Sequence, residues 1–131
     1  YKVPDGGIII EDIQTGKREA LASTRSNYQG PRTPKYFFNP EGIDFGIQAI
    51  DKGASSDILV VDEIGHLELK GEGFNNVIEL VRGGKVKNCI MVIRKELLSL
   101  FLSQLEVTPL IFETTINNRN QLPGEIVSIL T

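Results

Sequence analysis

With one cysteine among its 131 residues, the chain cannot form an internal disulfide. That residue, Cys89, lies in Asn88-Cys89-Ile90-Met91-Val92-Ile93, a run that reads as a buried strand. Reactive thiols need an electropositive, partly exposed setting, so Cys89 is expected to be an inert core thiol. No apolar stretch approaches the ~18 residues of a membrane span, and no signal-peptide pattern is visible. Positive charge is not in excess either. Fourteen Lys and Arg against seventeen Asp and Glu give a net charge of −3, with no basic stripe to mark a nucleic-acid surface. Internal repeats, low-complexity tracts and long linkers are missing as well. What remains, 24% charged and 40% hydrophobic, is ordinary for a soluble globular chain long enough to bury one core. The expectation is one domain over residues 1–131, cytoplasmic by default.

Residues 6–24 read as a hairpin, with Gly16 supplying the positive φ that short loops require. Arg25, Ser26, Asn27, Gly30, Pro31, Arg32, Pro34 and Lys35 follow as a polar, turn-rich loop, either a lid or a plain solvated loop. Tyr36-Phe37-Phe38 is a short strand or an anchor. Asn39-Pro40-Glu41 marks a helix start, with Ile43, Ile47 and Ile50 on one face and Gly53 at its end. Phe74, Val77, Ile78 and Val81 give a second helical stripe, and Leu97, Leu100, Phe101 and Leu105 a third. A strand is expected over 109–113 and a last helix over 123–130, with Ile126, Val127 and Leu130 turned inward. Strand and helix alternate through the last ~75 residues, which predicts an α/β fold with a parallel sheet.

The most informative run is Ile58-Leu59-Val60-Val61-Asp62-Glu63-Ile64-Gly65. Four apolar residues end in two adjacent carboxylates, the way a buried parallel strand brings acids to the carboxyl edge of a sheet. In phosphoryl-transfer proteins one such acid holds Mg²⁺ and a second can activate water. Two acids at a strand end are also read as simply solvated, or as caps of the next helix.

The longer text Asp62-Glu63-Ile64-Gly65-His66-Leu67-Glu68-Leu69, followed by Phe74, resembles the signature of one P-loop family. These are the small bacterial and archaeal nucleoside-triphosphatases related to a human cancer-associated NTPase. Residues 7–11 with the Gly16-Lys17 turn, residues 35–39, and residues 115–119 are similar to that family's segments in the same order. The resemblance implies a P-loop NTPase-like three-layer α/β fold with a mostly parallel sheet and an N-terminal β-hairpin. It implies Mg-dependent hydrolysis of a nucleoside triphosphate of the ATP/GTP class to NDP and phosphate.

It also distributes roles. Asp62 would hold Mg²⁺ through a coordinated water, and Glu63 would orient or deprotonate the attacking water. Arg94, just past a strand, would meet phosphate charge, with a surface salt bridge as its other reading. Arg119 would stack on the base or pair with phosphate, and Asn118 would bond the base; a turn-and-cap role is equally open for both. Glu11 faces the pocket or is a plain hairpin acid. His66-Leu67 stands where the family usually has Lys-Met, which leaves the role of that lysine in doubt.

The other half of such a site is a glycine-rich loop opening a helix, with a lysine and a Ser or Thr. No G-x-x-x-x-G-K-[ST] motif occurs in these residues; Gly16-Lys17 is followed by Arg18 and lies in a hairpin turn. The expectation is therefore a chain lacking the central phosphate-loop strand, truncated by roughly 40 residues, and inactive by itself. Without that strand, residues 88–93 and 109–114 would have unpaired edges, so the chain is expected to be unstable, dimeric through those edges, or closed up by their direct pairing. Two further readings stay open: a degenerate non-catalytic binding module, and a small-molecule kinase relative with residues 25–35 as its lid.

Overall fold

The computed structural model describes residues 1–25 and 27–131; Ser26, part of the expected lid loop, lies outside the described residues. Gly16 adopts a φ of +73° and turns β1 (Gly7–Glu11) back into β2 (Arg18–Ser23), with Glu11 opposite Arg18. β3 (Phe37–Phe38) adds antiparallel to β2, which resolves Tyr36-Phe37-Phe38 as a short strand. Asn39 then does two things. Its Oδ1 accepts the Glu41 N–H at 3.2 Å, while its Nδ2 donates to the Ala20 carbonyl at 2.8 Å. The cap that begins α1 (Pro40–Gly53) thus also fastens the helix to β2, a cap contributing about 1 kcal/mol. Ile43 packs on Leu21 and Ala22, and Ile50 reaches into the second core.

β4 (Leu59–Ile64) and β5 (Cys89–Ile93) pair in parallel, from Leu59 opposite Cys89 to Asp62 opposite Val92. Parallel neighbours need a long crossover, supplied here by α2 (His66–Leu69) and α3 (Asn76–Arg82). A 3₁₀ turn over Lys95–Leu97 leads into α4 (Leu98–Leu105), and α5 (Leu122–Leu130) closes the order. Leu59, Val61 and Ile64 of β4 meet Val77, Ile78, Phe101 and Leu105 in the main core. The opposite face of β4 carries Ile58, Val60 and Asp62, all exposed. Cys89 is partly buried, and desolvation pushes its thiol up to about 11, in keeping with an inert core residue.

Four expectations need correction. Residues 109–113 form no strand; they run unpaired, with Leu110 73% exposed. A strand exists only where a neighbour supplies N–H and C=O partners, and β5 is paired with β4 alone. Closure of the sheet by direct pairing of these two segments therefore does not occur. The stripe of α4 is narrower than expected: Leu97, Phe101 and Leu105 are buried, but Leu100 is 60% exposed. In α5 only Leu122 is buried; Ile126 and Leu130 are partly buried, and Val127 stands 55% exposed. No helix among the described residues is long and apolar enough to cross a membrane.

Candidate functional site

Strand alternation turns Leu59 and Val61 inward and sends Asp62 outward, and the pattern is interrupted at the next residue. The pairing slips between Asp62 and Ile64, leaving Glu63 as an extra residue with φ +116°. Such a bulge re-aims a side chain at a sheet edge. For a residue with a Cβ this backbone costs about 1–3 kcal/mol and persists only where its surroundings impose it. Ile64, fully buried, fixes one side. The Arg94 guanidinium fixes the carboxylate itself, with Nε donating to Glu63 Oε1 at 2.8 Å. Both partners are half exposed, so the pair is worth less than about 1 kcal/mol in stability and more in orientation.

Beyond Glu63 the chain wraps around one buried acid. Glu68 Oε1 accepts the Gly65 N–H at 2.8 Å, and Oε2 accepts the Phe74 N–H at 3.1 Å. Burial pushes the pKa of Glu68 up, and the two backbone donors partly oppose the shift. The sequence reading assigned nothing to Glu68. The available signal was an acid between two core leucines, Leu67-Glu68-Leu69, where a helix of one turn has little reason to bury charge.

A cavity of about 1110 Å³ opens between the hairpin, α1 and the outer face of β4. Its walls are mainly apolar, with Ile10, Phe45, Ile58 and Val60 among them, and Asp62, Glu63, Arg94 and Glu11 all line it. Four of the six residues named from the sequence are thus brought together. Glu11 is also ion-paired to Arg18 at 3.0 Å. Asn118 and Arg119 do not line the cavity. Asn118 Oδ1 accepts the Thr115 N–H at 2.7 Å and its Nδ2 donates to the Glu113 carbonyl at 2.9 Å, so its side chain holds a turn. His66 is exposed at the rim.

Among the described residues no cluster of three or more His, Cys, Asp or Glu could cage a metal. Mg²⁺ does not need one, since it is usually held by one or two carboxylates, waters and substrate phosphates. Asp62 fits that pattern. It is exposed to the cavity, and its carboxylate has no hydrogen bond or ion pair with other described residues.

A parallel strand that ends in two acids at a cavity, beside an antiparallel N-terminal hairpin sheet, makes this an α/β protein, and the comparisons with known proteins give its class. A family model described as NTPase matches residues 6–127, and the chain belongs to this NTPase family. It is 30% identical over 123 residues to the nucleoside-triphosphatase THEP1 of Methanosarcina barkeri, covering 93% of this chain and 69% of that protein. The THEP1 of Hyperthermus butylicus is 27% identical over 111 residues, covering 85% of this chain and 59% of that relative. The crystal structure of THEP1 from Aquifex aeolicus shares the fold, with a TM-score of 0.66 at 18% identity, over 88% of this chain and 72% of that one. The chain thus spans roughly three fifths to two thirds of the length of these two sequence relatives.

Proposed function

We propose that the chain carries the metal-holding and water-activating half of an Mg-dependent nucleoside-triphosphatase, which converts NTP of the ATP/GTP class to NDP and phosphate in the cytoplasm. The observation that carries this reading is the outer end of β4, where a free Asp62 and a bulge-held Glu63 face one cavity. Bound there, Mg²⁺ would neutralise charge on the phosphate oxygens, with Asp62 holding it through water. Glu63 accepts a proton from the attacking water as the water oxygen bonds to the γ-phosphorus. The bond from that phosphorus to the NDP oxygen breaks, and NDP leaves. Arg94 has two jobs in sequence. Without nucleotide it holds Glu63; with nucleotide its guanidinium turns to the phosphoryl oxygens, where charge accumulates, and leaves the carboxylate free for water.

The phosphate loop is the complement of this half-site. Support for a complement seated in the cavity comes from the apolar outer face of β4, the unpaired side of β5, and the unpaired segment 109–113. The 131 residues alone hold no G-x-x-x-x-G-K-[ST] phosphate loop and by this reading do not turn over triphosphate. Lys35 and Thr33 line the cavity too, which gives the kinase reading its one favourable observation.

Phosphate release with Mg²⁺ and no acceptor tests the proposal. It is to be measured on the 131-residue chain and on a form with a strand–phosphate loop–helix unit joined ahead of Tyr1. The loop-bearing form should release one phosphate per NDP, at a rate at least about 100-fold above the shorter chain. Phosphate transfer only when an acceptor is added would replace hydrolase by kinase, and equal rates in the two forms would end the requirement for the loop.

A further inference from the structure

Glu68 is the buried acid among the described residues, at 6% exposure, and the mechanism above gives it no task. We propose that Glu68 is a positioning residue, whose carboxylate clamps Gly65 to Phe74 and thereby holds the Glu63 backbone in its left-handed bulge; this rests on the hydrolase reading of Glu63.

The connection is short. Glu63 lies between Asp62, tied into the β4–β5 ladder, and the Ile64-Gly65 pair. Ile64 is set in the core, so the Gly65 N–H, held at 2.8 Å by Oε1, completes the restraint on the far side of the bulge. The clamp is itself anchored to the scaffold. Phe74, whose N–H meets Oε2 at 3.1 Å, packs against both core clusters. Asn75 Nδ2 donates to the Glu68 carbonyl at 2.7 Å, and Gln104 of α4 donates to the Leu69 carbonyl at 3.0 Å.

Space for the carboxylate is reserved as well. Gly73 has φ +58°, and a Cβ built there would collide with Glu68 Oε2. A leucine at position 68 could fill the same volume, but it would leave the Gly65 and Phe74 N–H groups without acceptors. A carboxylate accepts from both donors at once, one on each oxygen; an amide offers one oxygen and turns an N–H against the other donor. Burial raises the pKa of this acid, which is the cost of placing an acceptor-only group where two backbone donors converge.

The test reads Glu63 itself. A residue at positive φ has a short HN–Hα distance, so its intraresidue NOE is strong, and the measurement needs no nucleotide. In the 131-residue chain Glu63 should show this strong NOE, and a wild-type chain without it overturns the proposal. In E68Q the NOE should fall to the level of neighbouring strand residues, while the methyl shifts of Val77 and Leu105 stay in place. Gly73→Ala displaces the same carboxylate with its charge intact and should do the same, so it decides the matter if E68Q does not fold. A folded variant that keeps the strong Glu63 NOE refutes the clamp. In the loop-bearing form, E68Q should lower kcat about 10- to 100-fold with KM within about twofold, as a misplaced catalytic group does; an unchanged kcat would remove the positioning role. Absence of turnover in the wild-type loop-bearing form would count against the hydrolase reading alone, since the NOE decides whether Glu68 sets Glu63.

Discussion

Glu63→Gln in the loop-bearing form is expected to lower NTP turnover about 10²- to 10⁴-fold while leaving Mg-nucleotide affinity within about threefold. The amide is close in size and still presents an Oε1 to the Arg94 Nε–H, so the bulge and the resting contact have no steric reason to change. What is lost is basicity. The amide cannot take a proton from water as the new P–O bond forms, and the step must proceed without a general base. Steady-state phosphate release and equilibrium binding of a non-hydrolysable Mg-nucleotide separate the two quantities. A variant with unchanged kcat would take Glu63 out of its assigned role; one that loses binding in step with turnover would make Glu63 a ligand-binding group instead.

Ile64→Ala should destabilise the fold by about 3 kcal/mol, within the usual 2–5 kcal/mol for truncating a buried aliphatic side chain. Ile64 is 0% exposed and packs in the cluster that also contains Val77, Ile78, Phe101 and Leu105. A cavity there has little chance to collapse, because β4 is held by β5 on one side and by helices above. Against a total stability of ~5–15 kcal/mol the loss is large, and urea unfolding followed by circular dichroism measures it. Ile116→Ala, at a residue 84% exposed, is the control and should change stability by less than about 0.5 kcal/mol. Equal effects at the two positions would mean that the core lies elsewhere. Because Ile64 also fixes one side of the Glu63 bulge, its truncation joins stability to the site.

Much of this arrangement is legible from residue types in order. The β-branched run before Asp62 gave β4, Asn39-Pro40 gave the start of α1, and spacing of Phe74, Val77 and Ile78 gave α3. These are local signals, with cap chemistry and periodicity contained in a few neighbouring residues. The bulge at Glu63 was not legible, because it depends on how β5 pairs with β4, a relation between residues thirty positions apart. Residues 109–113 mislead for the same reason. Their Leu-Ile-Phe composition suits a strand, but no strand pairs with them among the described residues. The faces of α4 and α5 were overextended because periodicity identifies an apolar stripe without saying what will cover it. At the site, Asp62, Glu63 and Arg94 could be named from the sequence, since acids at a strand end and a cation past the next strand share one sheet edge, whereas Glu11, on the hairpin of the other sheet, was named only through the family resemblance. Asn118 looked equally suitable, and its amide turned out to hold the Thr115 turn. Glu68 was missed because its spacing from Gly65, that of an N-cap and the third helical residue, opens a helix of one turn, too short for apolar periodicity to reveal.

The central claim is that the outer end of β4 receives the metal–nucleotide, and paramagnetic relaxation tests it most directly. A non-hydrolysable triphosphate bound with Mn²⁺ in place of Mg²⁺ should broaden the amide signals of Asp62, Glu63 and Gly65 in the loop-bearing form. Resonances of Ile116 and Ile129, outside the cavity, should keep their linewidths, and Asp62→Ala should abolish the effect at β4. Broadening centred on any other part of the chain, with Asp62 and Glu63 unaffected, would contradict the account.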